Sequence, residues 1–150
     1  MKIKLKSLVD TQNFGRLLAH QLVGGEMIFL IGDLGAGKTT LTQQIALGLG
    51  VKEIVNSPTF MLVKEYHSGS LPLIHLDLYR LKELFVEDEE MIDEYLDGHN
   101  VVIVEWGERL LIDFPQAYQI RFVTIDGDSR TIELKNFPTK LLSKIKSANF

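Results

Sequence analysis

Residues 26–49 read EMIFLIGDLGAGKTTLTQQIALGL, and within them 32–39 fits the pattern G-x-x-x-x-G-K-[ST] of a phosphate-binding loop without a mismatch. The apolar run 26–31 that precedes the loop is typical of a buried parallel strand, whereas 40–49 has apolar residues at helical spacing. Strand, glycine loop and helix therefore occur in the order that the motif requires. The sequence predicts that this segment binds a nucleoside triphosphate.

The loop residues supply the groups that bind a phosphate chain. Glycines allow the backbone to wrap around a phosphate and to aim successive N–H groups at it, and the following helix adds the positive end of its dipole. We expect the Lys38 ammonium to reach the β- and γ-phosphates, where it also assists catalysis, and the Thr39 hydroxyl to ligate Mg²⁺. The loop residues predicted to bind the nucleotide are Asp33, Gly35, Ala36, Gly37, Lys38 and Thr39.

The composition narrows the class of protein. The 150 residues, 45% of them hydrophobic, suffice for one well-packed domain over 1–150 and are too few for two comfortable ones. No apolar stretch approaches the roughly 18 residues that span a bilayer, so we expect a cytoplasmic protein without membrane contact. The lack of cysteine excludes disulfides and thiol chemistry, and a net charge of −4 argues against autonomous nucleic-acid binding through a broad basic surface.

Periodicity and turn residues predict a mixed α/β architecture. The predicted strands are 2–6, 26–31, 60–66, 73–78, 101–105, 118–125 and 131–134. The predicted helices are one capped by Asp10 or Thr11, one over 40–49, an acidic one over 82–97, a short piece at 108–112 and a last one from Pro138 or Thr139. We therefore predict a three-layer fold like that of P-loop NTPases, a mixed central sheet with antiparallel additions and helices on both faces.

Two carboxylates end apolar runs, where the ligand of such a sheet binds. Asp77 follows 73–76 and suits the acidic residue that holds Mg²⁺ across from Thr39, although a turn or capping role is the plain alternative. Glu105 ends the cleanest buried strand and is our candidate for the base that orients and deprotonates the attacking water. We expect its carboxylate to lie in the Mg²⁺ site as well, and the alternative is a solvated acid. His75 is interpreted as a buried structural residue.

The segment Ser57-Pro-Thr-Phe60 follows the loop helix by a short connection. Switch loops of nucleotide-binding proteins often supply a hydroxyl to Mg²⁺ or the γ-phosphate at this point. We predict that Thr59, rather than Ser57, contributes to nucleotide binding, with a rigid strand entry as the alternative. The single tryptophan, Trp106, is assigned a packing role beside the predicted site.

The phosphate-binding loop, Ser57-Pro-Thr-Phe60, His75-x-Asp-x-Tyr-Arg80 and Glu105-Trp106 occur in this order and at these intervals over about 10–111, and as a set they resemble the TsaE (YjeE) family. The resemblance implies an ATPase of bacterial tRNA modification, required for the threonylcarbamoyl group on an adenosine beside the anticodon. It implies TsaD and TsaB as protein partners, with TsaC making the activated threonylcarbamoyl-adenylate. Hydrolysis of ATP then serves turnover of the complex, and tRNA is met only through that complex.

The resemblance also assigns roles to matching positions. It gives Lys38 to the phosphates, Thr39 and Asp77 to Mg²⁺, and Glu105 to hydrolysis. Thr40 goes to the α-phosphate side, and Thr59 is the switch-like threonine. One departure is visible, since family members often have proline after Glu-Trp, whereas this chain has Gly107.

Other readings of the loop stay open. A small-molecule P-loop kinase would need an acceptor pocket and a closing lid with arginines, for which the chain has little room. A GTPase would carry a guanine-reading Asn/Thr-Lys-x-Asp element, and the sequence has none after residue 60. A third reading is a nucleotide-controlled subunit that binds ATP and hydrolyses it hardly at all alone.

Overall fold

A computed structural model of the chain describes residues 1–58, 60–81, 85–148 and 150, and one sheet of seven strands organises them. The strands are β1 Lys2–Leu5, β2 Met27–Ile31, β3 Val63–Tyr66, β4 Leu73–Asp77, β5 Val101–Glu105, β6 Tyr118–Asp126 and β7 Ser129–Lys135. The helices are α1 Leu8–Ala19, α2 Lys38–Gly48, α3 Val86–Glu94 and α4 Thr139–Ser147, with a 3-10 turn at Gly107–Leu110. None of the described helices is both long enough and apolar enough to cross a bilayer.

The strand order is β1-β7-β6-β2-β5-β4-β3. Strand β2 is parallel to β5 and β6, and β4 is parallel to β5. The antiparallel strands β1, β7 and β3 extend this parallel centre on both sides. In the parallel register Glu105 lies beside Leu30 on one side and beside Asp77 on the other. The carboxyl ends of β2, β4 and β5 therefore meet at one edge.

Helices cover both faces of the sheet, so the predicted three-layer fold is confirmed. On one face Leu30 and Ile103 pack in a core that includes Leu18 of α1, Leu41 of α2 and Leu141 of α4. The other face has a second core. Its members include Phe29, Ile31 and Val104 from the sheet, Ile92 from α3 and Leu110 from the 3-10 turn. Because β2 is buried on both sides, each of its residues is apolar.

Several element boundaries differ from the sequence prediction. Helix α1 is capped by Ser7 and not by Asp10 or Thr11, since the Ser7 hydroxyl accepts a hydrogen bond of 3.1 Å from the Asp10 N–H. The Asp10 carboxylate in turn accepts one of 2.7 Å from the Lys6 N–H, so Asp10 closes the cap from inside the helix.

Three other elements also have boundaries that differ from the prediction. Strand β3 begins only at Val63, since Leu62 has a φ of 63° in the left-handed region. Helix α2 begins at Lys38, two residues before the predicted start, within the glycine motif itself. The acidic helix predicted over 82–97 is Val86–Glu94, and 82–84 lie outside the described residues.

Candidate functional site

A cavity of ≈ 340 Å³ opens where β2, β4 and β5 end. It is lined by Leu34, Gly35, Ala36, Gly37, Lys38, Thr39, Thr40, Ser57, Asp77, Tyr79, Glu105, Trp106 and Arg130. The structure thus brings together the predicted site residues with two exceptions. The Asp33 side chain does not line the cavity, and Thr59 lies outside the described residues.

The backbone of the loop forms a cradle that requires glycine at two positions. Gly35 has a φ of 78° and open space where a side chain would be. Its left-handed backbone conformation, and not a lack of space, is therefore what favours glycine at this position. Gly37 has a φ of 103° and is the residue before the first turn of α2. Glycine has no side chain to cap the first N–H groups of α2. These donors and the helix dipole are thereby suited to an anion in the cavity.

Lys38 is held by the loop that contains it. Its Nζ donates to the carbonyl oxygens of Gly32 at 2.6 Å and Asp33 at 2.8 Å. Burial lowers the pKa of this lysine below its usual value, and nearby carboxylates, Glu105 first among them, oppose that shift. An ammonium has three N–H donors, so two carbonyls fix its position and leave donor capacity for a phosphate oxygen.

The Glu105 carboxylate is the centre of a buried hydrogen-bond chain. Its Oε2 accepts from the Thr39 hydroxyl at 3.0 Å, and its Oε1 lies 2.9 Å from His75 Nε2. Glu105 is 3% exposed and His75 0% exposed. An ionised carboxylate can only accept, so with Glu105 in that form it is His75 Nε2 that carries the proton and donates. His75 is therefore buried and hydrogen-bonded, as its interpretation required, and it fixes the orientation of Glu105.

Asp77 lies beside this chain at the end of β4. One of its oxygens accepts the Tyr79 N–H at 2.9 Å, and the other accepts the Ser57 hydroxyl in a short hydrogen bond. Sequence reasoning preferred Thr59 to Ser57 as the hydroxyl of this segment. The sequence does not indicate the contact between Ser57 and Asp77, because the two residues are 20 positions apart along the chain and meet only in the folded protein.

Thr39, Asp77 and Glu105 line the cavity and carry side-chain oxygen atoms, which could hold a magnesium ion. Mg²⁺ prefers oxygen ligands and is usually held by one or two carboxylates together with phosphate oxygens and water. The described residues contain no group of three or more His, Cys, Asp or Glu side chains that could hold a metal ion. Two carboxylates and one hydroxyl are the donors that could hold a Mg²⁺ ion together with phosphate oxygens and water.

The indole ring of Trp106 lies against the ammonium group of Lys38. Its ring centroid lies 4.1 Å from Lys38 Nζ and 5.1 Å from the Tyr79 ring centroid. The backbone of Trp106 has a φ of 62°, in the left-handed region that is strained for a bulky residue. Sequence reasoning assigned only packing to this residue. The structure adds a cation–π contact with the ammonium that is predicted to bind phosphate.

Gly107 follows Trp106 and lies directly against β2. A Cβ atom at this position would be 2.5 Å from both Cβ and Cγ of Phe29, which is closer than real carbon atoms approach. We predict that Gly107→Ala lowers the free energy of unfolding by about 1–3 kcal/mol, because the 3-10 turn must move off the strand. Urea denaturation measures this change. Arg109→Ala, an exposed substitution in the same turn, is the control, and equal stability of the two variants would contradict the prediction.

Arg130 is a charged residue of the site that sequence reasoning missed. It was one of five arginines scattered along the chain, and no motif includes it. The second residue of β7 lines the cavity only because the β6–β7 hairpin pairs alongside β2. A pattern in one sequence contains no signal for such a contact between distant segments.

Comparison with known proteins gives consistent matches. Residues 5–132 match the family model described as "Threonylcarbamoyl adenosine biosynthesis protein TsaE". The chain is similar to the tRNA threonylcarbamoyladenosine biosynthesis protein TsaE of Bacillus subtilis, 45% identical over 82% of this chain and 77% of the relative. It is also similar to the protein of that name from a Nostoc species, 41% identical over 91% and 86%. Among solved structures, Bacillus subtilis YdiB superposes with a TM-score of 0.80 and 33% identity, covering 100% of this chain and 96% of that one.

Proposed function

The chain belongs to the TsaE family of threonylcarbamoyl adenosine biosynthesis proteins, and from this premise we propose that it binds ATP with Mg²⁺ and hydrolyses it. Hydrolysis yields ADP and phosphate. In this proposal the reaction supports turnover of the proteins that modify tRNA and does not itself transfer the threonylcarbamoyl group.

One observation supports the proposal above all others. The cradle of the glycine loop, the Lys38 ammonium and the oxygens of Thr39, Asp77 and Glu105 line a single cavity. Each belongs to a different part of the chemistry that phosphoryl transfer needs, namely phosphate binding, charge neutralisation, metal ligation and activation of water. Their meeting at the carboxyl ends of parallel strands is the arrangement in which such sheets bind ligands.

The residues divide the proposed work among themselves. The loop amides and Lys38 bind the phosphates, with Thr40 on the α-phosphate side. Thr39, Asp77 and Glu105 would hold Mg²⁺, which would neutralise charge that develops on the phosphate oxygens. Thr59, which lies outside the described residues, is proposed to contact the nucleotide as the switch threonine.

Glu105 is proposed to orient the attacking water and to take its proton. Both of its oxygens are engaged, Oε1 with His75 and Oε2 with the Thr39 hydroxyl. His75 can keep its contact throughout the reaction, since it contacts Oε1 and the proton is proposed to go to Oε2. The Thr39 hydroxyl donates to Oε2, and that oxygen keeps a second lone pair with which it can accept a proton from water. The Thr39 oxygen in turn keeps its own lone pairs for a metal ion while its hydrogen is donated to Glu105.

We propose that TsaD and TsaB are the protein partners and that tRNA is reached only through their complex. The family resemblance supports the two partners. The net charge of −4 supports indirect contact with tRNA, since an autonomous RNA-binding domain normally carries a basic surface. Bacterial tRNA is modified in the cytoplasm, and we assign the protein to that compartment.

The proposal is tested by measuring phosphate release from Mg·ATP with the purified protein, alone and with TsaD and TsaB. We expect slow release by the protein alone and faster release with the partners. Fast release without partners would favour an autonomous ATPase. Labelled phosphate on a small metabolite would instead show a kinase and overturn the proposal.

A binding measurement tests the nucleotide site without any activity. The chain has a single tryptophan, and its ring contacts the Lys38 ammonium, so we predict that binding of Mg·ATP or Mg·ADP changes the emission of Trp106. Mg·GTP should act only at higher concentration, because the sequence has no guanine-reading element. An emission spectrum that stays constant up to millimolar Mg·ATP would contradict a site beside this residue.

A further inference from the structure

The β6–β7 hairpin lies on the opposite side of β2 from Glu105 and Asp77 and reaches the same cavity. Successive side chains of β7 point to opposite faces of the sheet. Ile132 and Leu134 belong to the core on the face that α2 covers. Arg130 is on that same face by period, two residues before Ile132. Its side chain therefore points toward the first turn of α2 and not toward the other layer.

The guanidinium of Arg130 lies against the phosphate-binding loop. A Cβ atom built at Gly37 would lie 3.0 Å from Arg130 Nε, so the absence of a side chain at that glycine makes the approach possible. The Nη1 group donates to the Gly127 carbonyl oxygen at 3.3 Å, which ties the guanidinium to the turn of the hairpin. This tether limits the entropy that the side chain would lose on binding a ligand.

Arg130 has unused donor capacity. Its Nε is buried and has no hydrogen-bond partner among the described residues. Leaving a buried donor of a charged group unpaired is costly, and such a group is normally satisfied by a ligand or an ordered water. A ligand in the cavity that Arg130 lines would supply such a partner.

The negative charge in the cavity favours a second cationic side chain besides Lys38. Asp77 and Glu105 line it, and a nucleoside triphosphate brings further negative charge. Within the described part of the chain, the basic side chains that line the cavity are those of Lys38 and Arg130. They stand on different sides of the loop, since Lys38 is folded beneath Trp106 while Arg130 comes from the β7 side.

We propose that Arg130 is a phosphate-binding residue of the nucleotide site, donating from the β7 side to the phosphate chain held by the loop. The inference rests on the proposed binding of Mg·ATP and extends it to the C-terminal hairpin, which carries none of the motifs. A guanidinium offers a planar fork of donors that matches phosphate oxygens. The hairpin thereby becomes a wall of the site and not only an extension of the sheet.

The test is isothermal titration of Mg·ATP into the wild-type chain and into Arg130→Ala and Arg130→Lys. We expect Arg130→Ala to weaken affinity about 10–100-fold, the range of a charge-assisted hydrogen bond. Arg130→Lys should give an intermediate loss, because it keeps the charge and loses the fork. Arg121→Gln is the matched control, since it lies in the same hairpin on the opposite face by strand alternation and should bind as the wild type does.

Displacement by Mg·tripolyphosphate, which has no base or ribose, separates a phosphate contact from a contact with the nucleoside. The proposal expects Arg130→Ala to weaken tripolyphosphate by a factor similar to that for ATP. Unchanged ATP affinity in a variant with a wild-type unfolding transition would overturn it, and so would a loss confined to ATP. If the wild-type chain itself fails to bind Mg·ATP, the proposed function is wrong, and that result is distinct from either outcome.

Discussion

Glu105→Gln is expected to reduce ATP hydrolysis about 100–10,000-fold, the range that a positioned general base contributes. The amide keeps the shape of the side chain and can still accept from His75 Nε2, which now lies 2.9 Å from Oε1. It cannot take a proton from water. The amide oxygen can still serve as an oxygen ligand, so affinity for Mg·ATP should stay within a few-fold of the wild type while phosphate release slows by the factor given above. Single-turnover hydrolysis in the presence of partners, together with a binding titration, measures both quantities.

The control for this variant is Glu90→Gln, a carboxylate on the exposed face of α3. It makes the same chemical change away from the cavity and should leave hydrolysis as it is. Hydrolysis by Glu105→Gln at more than a tenth of the wild-type rate would remove Glu105 from its proposed role. Equal loss of binding and hydrolysis would instead assign the carboxylate to metal and nucleotide binding alone.

The parts of the site that the sequence predicts are those whose geometry is set by residues close together along the chain. The loop motif specifies its own geometry, because glycines, lysine and threonine at fixed offsets follow one strand and begin one helix. Asp77 and Glu105 could be placed from the ends of apolar runs, since parallel strands deliver their carboxyl ends to one edge. The register confirms that placement, with Asp77 directly beside Glu105.

The parts that sequence does not predict depend on contacts between distant segments. The hydrogen bond between His75 and Glu105 follows from the pairing of β4 with β5, which a single sequence leaves open. Arg130 reaches the loop only because β6 pairs with β2 on the side away from β5. The misplaced α1 cap has a local cause. The apolar periodicity predicted Asp10 as a candidate N-cap of the helix. In the structure Ser7 is the N-cap, and the Asp10 carboxylate accepts the Lys6 N–H from within the first turn.

Lys38→Ala is expected to weaken Mg·ATP binding at least about 100-fold, since it removes the buried ammonium that we propose donates to the phosphates. The lysine is 5% exposed and already held by the carbonyls of Gly32 and Asp33. Its position is thus fixed before the ligand arrives, and little side-chain entropy remains to be lost on binding. That pre-organisation is why one residue should account for so large a share of the affinity.

Ligand-induced stabilisation gives a readout of this variant that is independent of activity. A ligand at about 100 times its Kd stabilises the native state by about 2.7 kcal/mol, so the wild type should unfold at a higher temperature in excess Mg·ATP. Lys38→Ala should show little of this shift at the same concentration. Lys52→Ala, an exposed substitution beyond the end of α2, should show all of it. A full shift in Lys38→Ala would mean that the ammonium does not bind the phosphates, and the assignment of the cavity as a nucleotide site would lose its main support.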